Sequence, residues 1–183
     1  FIRHSVTDVV HLAGYAYVRE SIEKPEEYWS NNFCESLSLV QECIAHGIKR
    51  FVFSSSCATY GRPDTIPIHE GHRQQPISSY GASKLAVEWM LKDVSEVSEL
   101  QYFIFRYFSA AGADPKCEIG ERHSPETHLI PITLRATYDG ESEITVFGTD
   151  YDTPDGTCVR DYVHVSDLAD AHVRALDYLT KGG

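Results

Sequence analysis

The sequence predicts an α/β protein: an incomplete parallel sheet flanked by helices, followed by the start of a smaller lobe. Two observations carry the prediction. Three short runs rich in β-branched and aromatic residues, "DVVHLA" (8–13), "KRFVFSSS" (49–56) and "QYFIFRYF" (101–108), are separated by long segments with helical periodicity. Strands joined through helices run parallel with right-handed crossovers, and such sheets bind ligands at the carboxyl ends of their strands. Beyond Ser109 the stretch "AAGADPKCEIGERHSPETHLIP" is dense in Gly, Pro and charge and marks a change of texture.

The elements follow in order. Asp8 to Ala13 closes at Gly14, as a buried strand does. From Glu26 to His46 the apolar positions Trp29, Phe33, Leu37, Val40, Cys43 and Ile44 recur every three or four residues, which predicts a helix stopped by Gly47. Lys49 to Ser56 is the second strand. A loop with Pro63, Pro67 and Pro76 leads to a helix opened by Ser78 or Ser79 and running to Val97, and Gln101 to Phe108 is the third strand. In the second lobe the pattern predicts a short helix over Pro131 to Tyr138 and strands over Ile144 to Phe147 and Tyr162 to Val165. A last helix runs from Ser166 to Leu179, with Ser166 and Asp167 at its N-terminus. Residues 1–108 are assigned to a first domain, and 109–183 to a second region that includes a returning strand-helix unit.

Of the 183 residues, 42% are hydrophobic, enough for one sizeable core. Sixteen Lys and Arg face 27 Asp and Glu, a formal charge of -11, which disfavours a nucleic-acid partner. No apolar run reaches the length of a membrane span, and "FIRHSVTD" lacks the regions of a secretory signal, so a cytoplasmic setting is expected. Cys34, Cys43, Cys57, Cys117 and Cys158 are widely spaced without a C-x-x-C and read as reduced thiols. His69, Glu70 and His72 crowd one loop, but without a second ligand cluster they read as polar surface and no metal is expected. The chain opens at Phe1, its one methionine is Met90, and its first strand starts almost at once; it reads as a piece of a longer polypeptide.

The chemistry concentrates in "SSYGASK". Tyr80 and Lys84, four apart, project from one helix face. An ammonium near a phenol favours phenolate and fits the tyrosine to act as a general base. Gly81 and Ala82 keep the surface between them small enough for a flat ligand to approach. Such pairs also arise by chance, as a core-edge tyrosine beside a solvated lysine. Ser56, at a strand end 24 positions before Tyr80, adds a hydroxyl able to bind the oxygen that Tyr80 deprotonates.

With a strand ending in Ser54-Ser55-Ser56, then "YGASK", then "RYF" on the next strand, the sequence resembles the extended short-chain dehydrogenase/reductases. More narrowly, "HLAG", "FVFSSSCATYG", "RYFSAAGADP", "HLIP" and "DGTCVRDYVHVSDLADAHV" are similar to nucleotide-sugar 4-epimerases of the UDP-glucose 4-epimerase type. The resemblance implies a Rossmann-like fold, NAD as cofactor, a UDP-hexose as substrate and a homodimer paired through Glu26 to His46 and Ser79 to Val97, with Leu39, Trp89 and Met90 at the interface or in the core. It implies Ser56, Tyr80 and Lys84 as the catalytic residues: Tyr80 takes the proton of the sugar 4-hydroxyl, Lys84 holds the cofactor ribose, and Ser56 binds the sugar oxygen. For the cofactor it implies Ala13, Gly14, Asn32, Ser54 and Tyr107 alongside Tyr80 and Lys84. For the nucleotide sugar it implies Ser109, His128, Leu129, Phe147 and Arg160 alongside Ser56 and Tyr80. A guanidinium is the natural partner of a diphosphate, which makes Arg160 the strongest of these; the plain alternative is a surface pair with Asp161 or Asp155.

Two departures from the family pattern stand out. Ser109 replaces the usual Asn after "RYF" and reaches less far, and Arg19 places a bulky cation where a Gly commonly precedes "ES". The glycine-rich turn that receives a dinucleotide pyrophosphate is absent from the sequence, as is the distal part of the family's substrate lobe, so the chain alone is expected to hold NAD poorly. Three readings stay open: UDP-glucose/UDP-galactose 4-epimerase, a UDP-pentose or UDP-N-acetylhexosamine 4-epimerase, and a non-catalytic module that binds a dinucleotide or nucleotide sugar. Ser55 and Ser56 stand where a 4,6-dehydratase would need Asp and Glu, and a sensor has no need of Ser56, Tyr80 and Lys84 together.

Overall fold

In the computed structural model, which describes residues 1–140 and 143–183, the three apolar runs form strands β1 (Asp8–His11), β2 (Arg50–Ser54) and β3 (Gln101–Phe105), paired in parallel in that order. Asp8 lies opposite Arg50, and Arg50 opposite Gln101. Side chains alternate along a strand, so β2 feeds two cores. Phe51 and Phe53 pack with Val40, Cys43, Val87 and Leu91, while Val52 on the other face meets Ala175 and Leu179. The chain divides into two compact units, Phe1–Phe108 with Asp170–Gly183, and Ser109–Ala169.

A short helix, α1 (Val18–Glu23), precedes the predicted Glu26 to His46 helix, whose turns are not uniform. It begins as α2 (Pro25–Tyr28), with Pro25 where a missing N–H costs nothing, widens to a π turn over Trp29–Cys34, and continues as α3 (Glu35–Ala45). The wide turn has a purpose visible in burial. Tyr28, Asn32, Ser36 and Val40, each four residues on, are 0%, 3%, 2% and 0% exposed. At 100° per residue, twelve residues of α-helix would drift about 120° off one face; a π turn absorbs about one residue and cancels most of that drift.

Helix α4 (Ser79–Val97) starts at Ser78, whose hydroxyl accepts the Gly81 N–H at 3.2 Å. A Cβ on Gly81 would lie 2.5 Å from the Ala58 carbonyl oxygen, so only glycine lets the first turn of α4 press against the backbone leaving β2. At Gly81 the missing side chain serves that packing.

In the second unit β4 (Ser109–Ala111) pairs in parallel with β5 (Tyr162–His164), and α5 (Leu129–Asp139) covers the predicted short helix with two residues more at its start. Ile144 to Phe147, expected as a strand, pairs into no sheet among the described residues. The last helix, α6 (Val165–Thr180), starts one residue before Ser166; the His164 Nδ1 accepts the Ser166 N–H at 3.1 Å, so His164 takes the capping role predicted for Ser166. Among the described residues no helix is long and apolar enough to cross a membrane.

Candidate active site at the strand exits

Three consecutive serines leave β2, and each is buried: Ser54, Ser55 and Ser56 are 6%, 2% and 8% exposed. The face of α4 that carries Tyr80 and Lys84 meets them. Lys84, 5% exposed, donates from Nζ to the Ser54 carbonyl at 2.9 Å and lies 4.9 Å from the centre of the Phe53 ring. Burial lowers its ammonium to about 8. The Ser56 hydroxyl accepts the Ala58 N–H at 3.2 Å, and the same side chain lies close enough to Tyr80 to act on the phenol. The Ser54 and Tyr107 hydroxyls are hydrogen bonded to each other, and the Tyr107 carbonyl accepts the Cys57 N–H at 3.1 Å. The structure thus brings Ser54, Ser56, Tyr80, Lys84 and Tyr107 together.

The acidity of Tyr80 differs from the sequence expectation. Burial raises its phenol above the ordinary value, the Ser56 hydrogen bond works to lower it, and Tyr107 and Cys57 add to the rise. The Lys84 ammonium is directed at the strand end, which is why it does not draw the phenol down.

On the first strand exit Ala13 and Gly14 are exposed. Gly14 has φ +152°, and a Cβ there would sit 3.1 Å from Asn32 Oδ1 and 3.5 Å from Lys84 Nζ. Asn32 spends its amide on the next residue: Oδ1 accepts the Tyr15 N–H at 2.8 Å and Nδ2 donates to the Tyr15 carbonyl at 3.0 Å. It therefore fixes the turn at Gly14. His11, which sequence reasoning did not single out, hydrogen bonds through Nε2 to the Ser36 hydroxyl at 2.9 Å and stacks on Phe53. Burial, then the Lys84 charge, lowers its imidazole to about 4, so it is neutral at pH 7. Glu88 and Arg106 were also missed. A glutamate four residues after a lysine on a helix reads as a solvated surface pair, yet Glu88 is 4% exposed.

The remaining site residues lie in the second unit. The Ser109 N–H donates to the Asp161 carbonyl at 3.1 Å. His128 is the N-cap of α5, and one carboxylate oxygen of Glu126 holds both its N–H and its Nδ1 at 2.8 Å. The hydrogen bond from the His128 N–H leads the causes that lower Glu126 to about 2. Glu121, His123, Glu126 and His128 bring their polar atoms within 4.8 Å of one another, a denser group than His69, Glu70 and His72. Leu129 and Phe147 are 58% and 89% exposed. Arg160 is exposed, and its pairing with Asp161 or Asp155 does not form among the described residues. In the first unit Arg19 points outward, its side chain 86% exposed, 3.6 Å from Glu23.

A tyrosine and a lysine one helical turn apart meet a serine at the exit of a parallel strand, the arrangement expected of the short-chain dehydrogenase/reductase class. Within that class, the chain belongs to the NAD dependent epimerase/dehydratase family, which matches residues 1–183. It is 51% identical over 181 residues to a UDP-glucose 4-epimerase of Rhizobium meliloti, covering 99% of this chain and 55% of that protein. A crystal structure of UDP-glucose 4-epimerase from Brucella ovis in complex with NAD superposes with a TM-score of 0.94 at 47% identity, over 100% of this chain and 56% of that one. The Bifidobacterium longum UDP-glucose 4-epimerase, solved with NAD+ and UDP, gives 0.91 at 39% identity, over 96% and 53%. The chain spans about half the length of the curated relatives it matches.

Proposed function

We propose that the protein carrying this chain interconverts UDP-glucose and UDP-galactose by NAD-dependent 4-epimerisation, and so serves galactose metabolism. The observation that carries the reading is the convergence of Tyr80 on Ser56 with Lys84 buried at the same strand exit. The residues fit a dinucleotide: the bare Gly14 backbone leaves room beside Lys84 Nζ that a side chain would fill. NAD, when bound there, supplies the hydride acceptor and donor for C4 and a positive charge close to the phenol.

The chain's own groups do the rest. Ser56 binds the sugar 4-oxygen, and the Tyr80 oxygen takes its proton as C4 becomes a ketone. After the 4-keto sugar turns over its other face, Tyr80 returns the proton. Lys84 holds the cofactor ribose, and the positive charge of a bound cofactor would offset the effect of burial on Tyr80. Asn32 keeps the Gly14 turn open, while Ala13, Ser54 and Tyr107 line the cofactor. Residues 1–108 supply part of the NAD-binding domain, and 109–183 part of the nucleotide-sugar region. There His128, Leu129, Phe147 and Arg160 receive the uridine diphosphate, with Ser109 a shorter contact. A cytoplasmic homodimer completes the reading, supported by Trp29 and Trp89, 39% and 60% exposed on the two helices assigned to pairing.

The test is to incubate the protein with UDP-galactose and separate the products by chromatography. UDP-glucose is the expected product. Turnover of UDP-N-acetylglucosamine or UDP-xylose instead would reassign the sugar, and UDP-sugar binding without turnover of any of them would leave a binding module.

A further inference from the structure

Lys84 and Tyr80 do not hold the strand exit alone. Tyr80, Lys84 and Glu88 stand at four-residue intervals on one face of α4, and each engages one of the three successive serines leaving β2. Lys84 takes the Ser54 carbonyl and Glu88 accepts a hydrogen bond from the Ser55 hydroxyl, while the Ser56 side chain is the neighbour that works to lower the Tyr80 phenol. Ser55 is in turn anchored to β3, its N–H donating to the Phe105 carbonyl at 2.8 Å.

A buried carboxylate needs a counter-charge and a full set of donors. Glu88 has both. Arg106, at the exit of β3, approaches it at 2.7 Å through Nη2 and at 3.1 and 3.0 Å through Nε, and Gln74 donates to Oε2 at 2.9 Å. Arg106 then reaches on through Nη1 to the Tyr60 hydroxyl at 3.0 Å and the Glu70 carbonyl at 3.1 Å. One carboxylate therefore ties the helix that carries the base to two strand exits and to the loop between β2 and α4.

We propose that Glu88, acting through Ser55 and neutralised by Arg106, is a positioning residue that sets the offset of Ser56 against Tyr80. The inference rests on the epimerase reading for its kinetic consequence, not for its geometry. Apolar contacts are non-directional, so a hydrogen bond eight residues beyond Tyr80 gives α4 a second polar fix along the strand exits. Lys84 to a backbone carbonyl is too tolerant a contact to fix the helix alone, because the ammonium rotates about a flexible stem.

The test uses Ser55→Ala, which removes the link and leaves the Glu88–Arg106 pair intact, with Ser55→Thr to restore the hydroxyl. Because the Ser56 hydrogen bond lowers the Tyr80 phenol, loosening it raises the phenol further. In S55A the limb of the kcat–pH profile set by Tyr80 is expected to move to higher pH. At neutral pH kcat should fall about tenfold with KM nearly unchanged, and S55T should recover most of the loss. The same shift is read without substrate by NMR titration of 13C-labelled tyrosine, with the Tyr80 signal identified by its loss in Tyr80→Phe. A folded S55A whose Tyr80 signal titrates as in the wild type overturns the proposal. A wild-type protein that epimerises nothing, but whose Tyr80 signal shifts upward in S55A, leaves the positioning role standing and sinks the functional reading instead. Glu88→Gln guards against a fault peculiar to Ser55: it keeps the shape, strands the Arg106 charge, and is expected to shift Tyr80 in the same direction.

Discussion

The two sets of proposed site residues, one in each unit, are built in opposite ways. At the strand exits of the first unit, Ser54, Ser56, Lys84 and Glu88 are buried and bound to one another, to adjoining side chains or to nearby backbone. In the second unit Leu129, Phe147 and Arg160 are exposed, while Ser109 is held by Asp161 and His128 by Glu126. Groups that move protons must stand in place before substrate arrives, since misplacement costs rate. Groups that grip a diphosphate and a base can be ordered by the ligand, at some expense in affinity. The contrast predicts that damage to the first set shows in kcat and damage to the second in binding.

The largest effect should come from Tyr80→Phe. It removes one oxygen from a buried ring, so the fold survives, and turnover should fall about 10³-fold while UDP binding, measured by calorimetry, stays within about twofold. Retained turnover would show that another group is the base. Arg160→Ala should do the reverse. Loss of a charge-assisted contact to the diphosphate should weaken UDP binding about 10- to 100-fold with kcat little changed. If kcat collapsed as well, the second unit would share in positioning the reacting carbon and the contrast would blur. A smaller effect of opposite sign is expected of Lys84→Met on stability. Removing a buried ammonium should raise Tm by about 2–4 °C although the variant is inactive; a drop in Tm would mean that the hydrogen bond to Ser54 outweighs the cost of burying the charge.

The same division governs what the sequence reveals. Strands β1, β2 and β3 are legible because each is a short apolar run bounded by breakers, although only β2 is buried along nearly its whole length and β1 and β3 are half-buried. Ser56, Tyr80 and Lys84 are legible because their spacing and the position of Ser56 at a strand end are local facts. The π turn over Trp29–Cys34 is not, since it is chosen by the need to bury Asn32 and Ser36 in line with Tyr28 and Val40, a tertiary demand. Glu88 is hidden for a similar reason: its partners Arg106, Ser55 and Gln74 come from three other places in the chain. The Ile144 to Phe147 segment fails as a strand because β-branched composition proposes a strand but only a pairing partner makes one. The acidity of Tyr80 follows burial, which no spacing reports.

The smallest effects sharpen the comparison by separating two buried bases of the first unit through pH. His11 is held neutral, its imidazole lowered to about 4 from 6.5, and Lys84 is lowered to about 8 from 10.5. In both cases the unfolded chain binds the proton more readily than the folded one, and stability rises with pH wherever that holds. His11 therefore weakens the fold as pH falls from about 6.5 to 4, and Lys84 as it falls from about 10.5 to 8. Between those windows neither contributes a slope. Tyr80, raised by burial, opposes Lys84 above about pH 10, where the unfolded phenol ionises first. Denaturant unfolding across the range should show two rising segments with a flatter stretch between them. His11→Asn should flatten the acid segment alone, and Lys84→Met the alkaline one alone. If His11→Asn left the slope between about pH 6.5 and 4 unchanged, the imidazole would not be held neutral by its surroundings, because carboxylates such as Asp8, lowered by its hydrogen bonds to Arg50, act mainly below about pH 4.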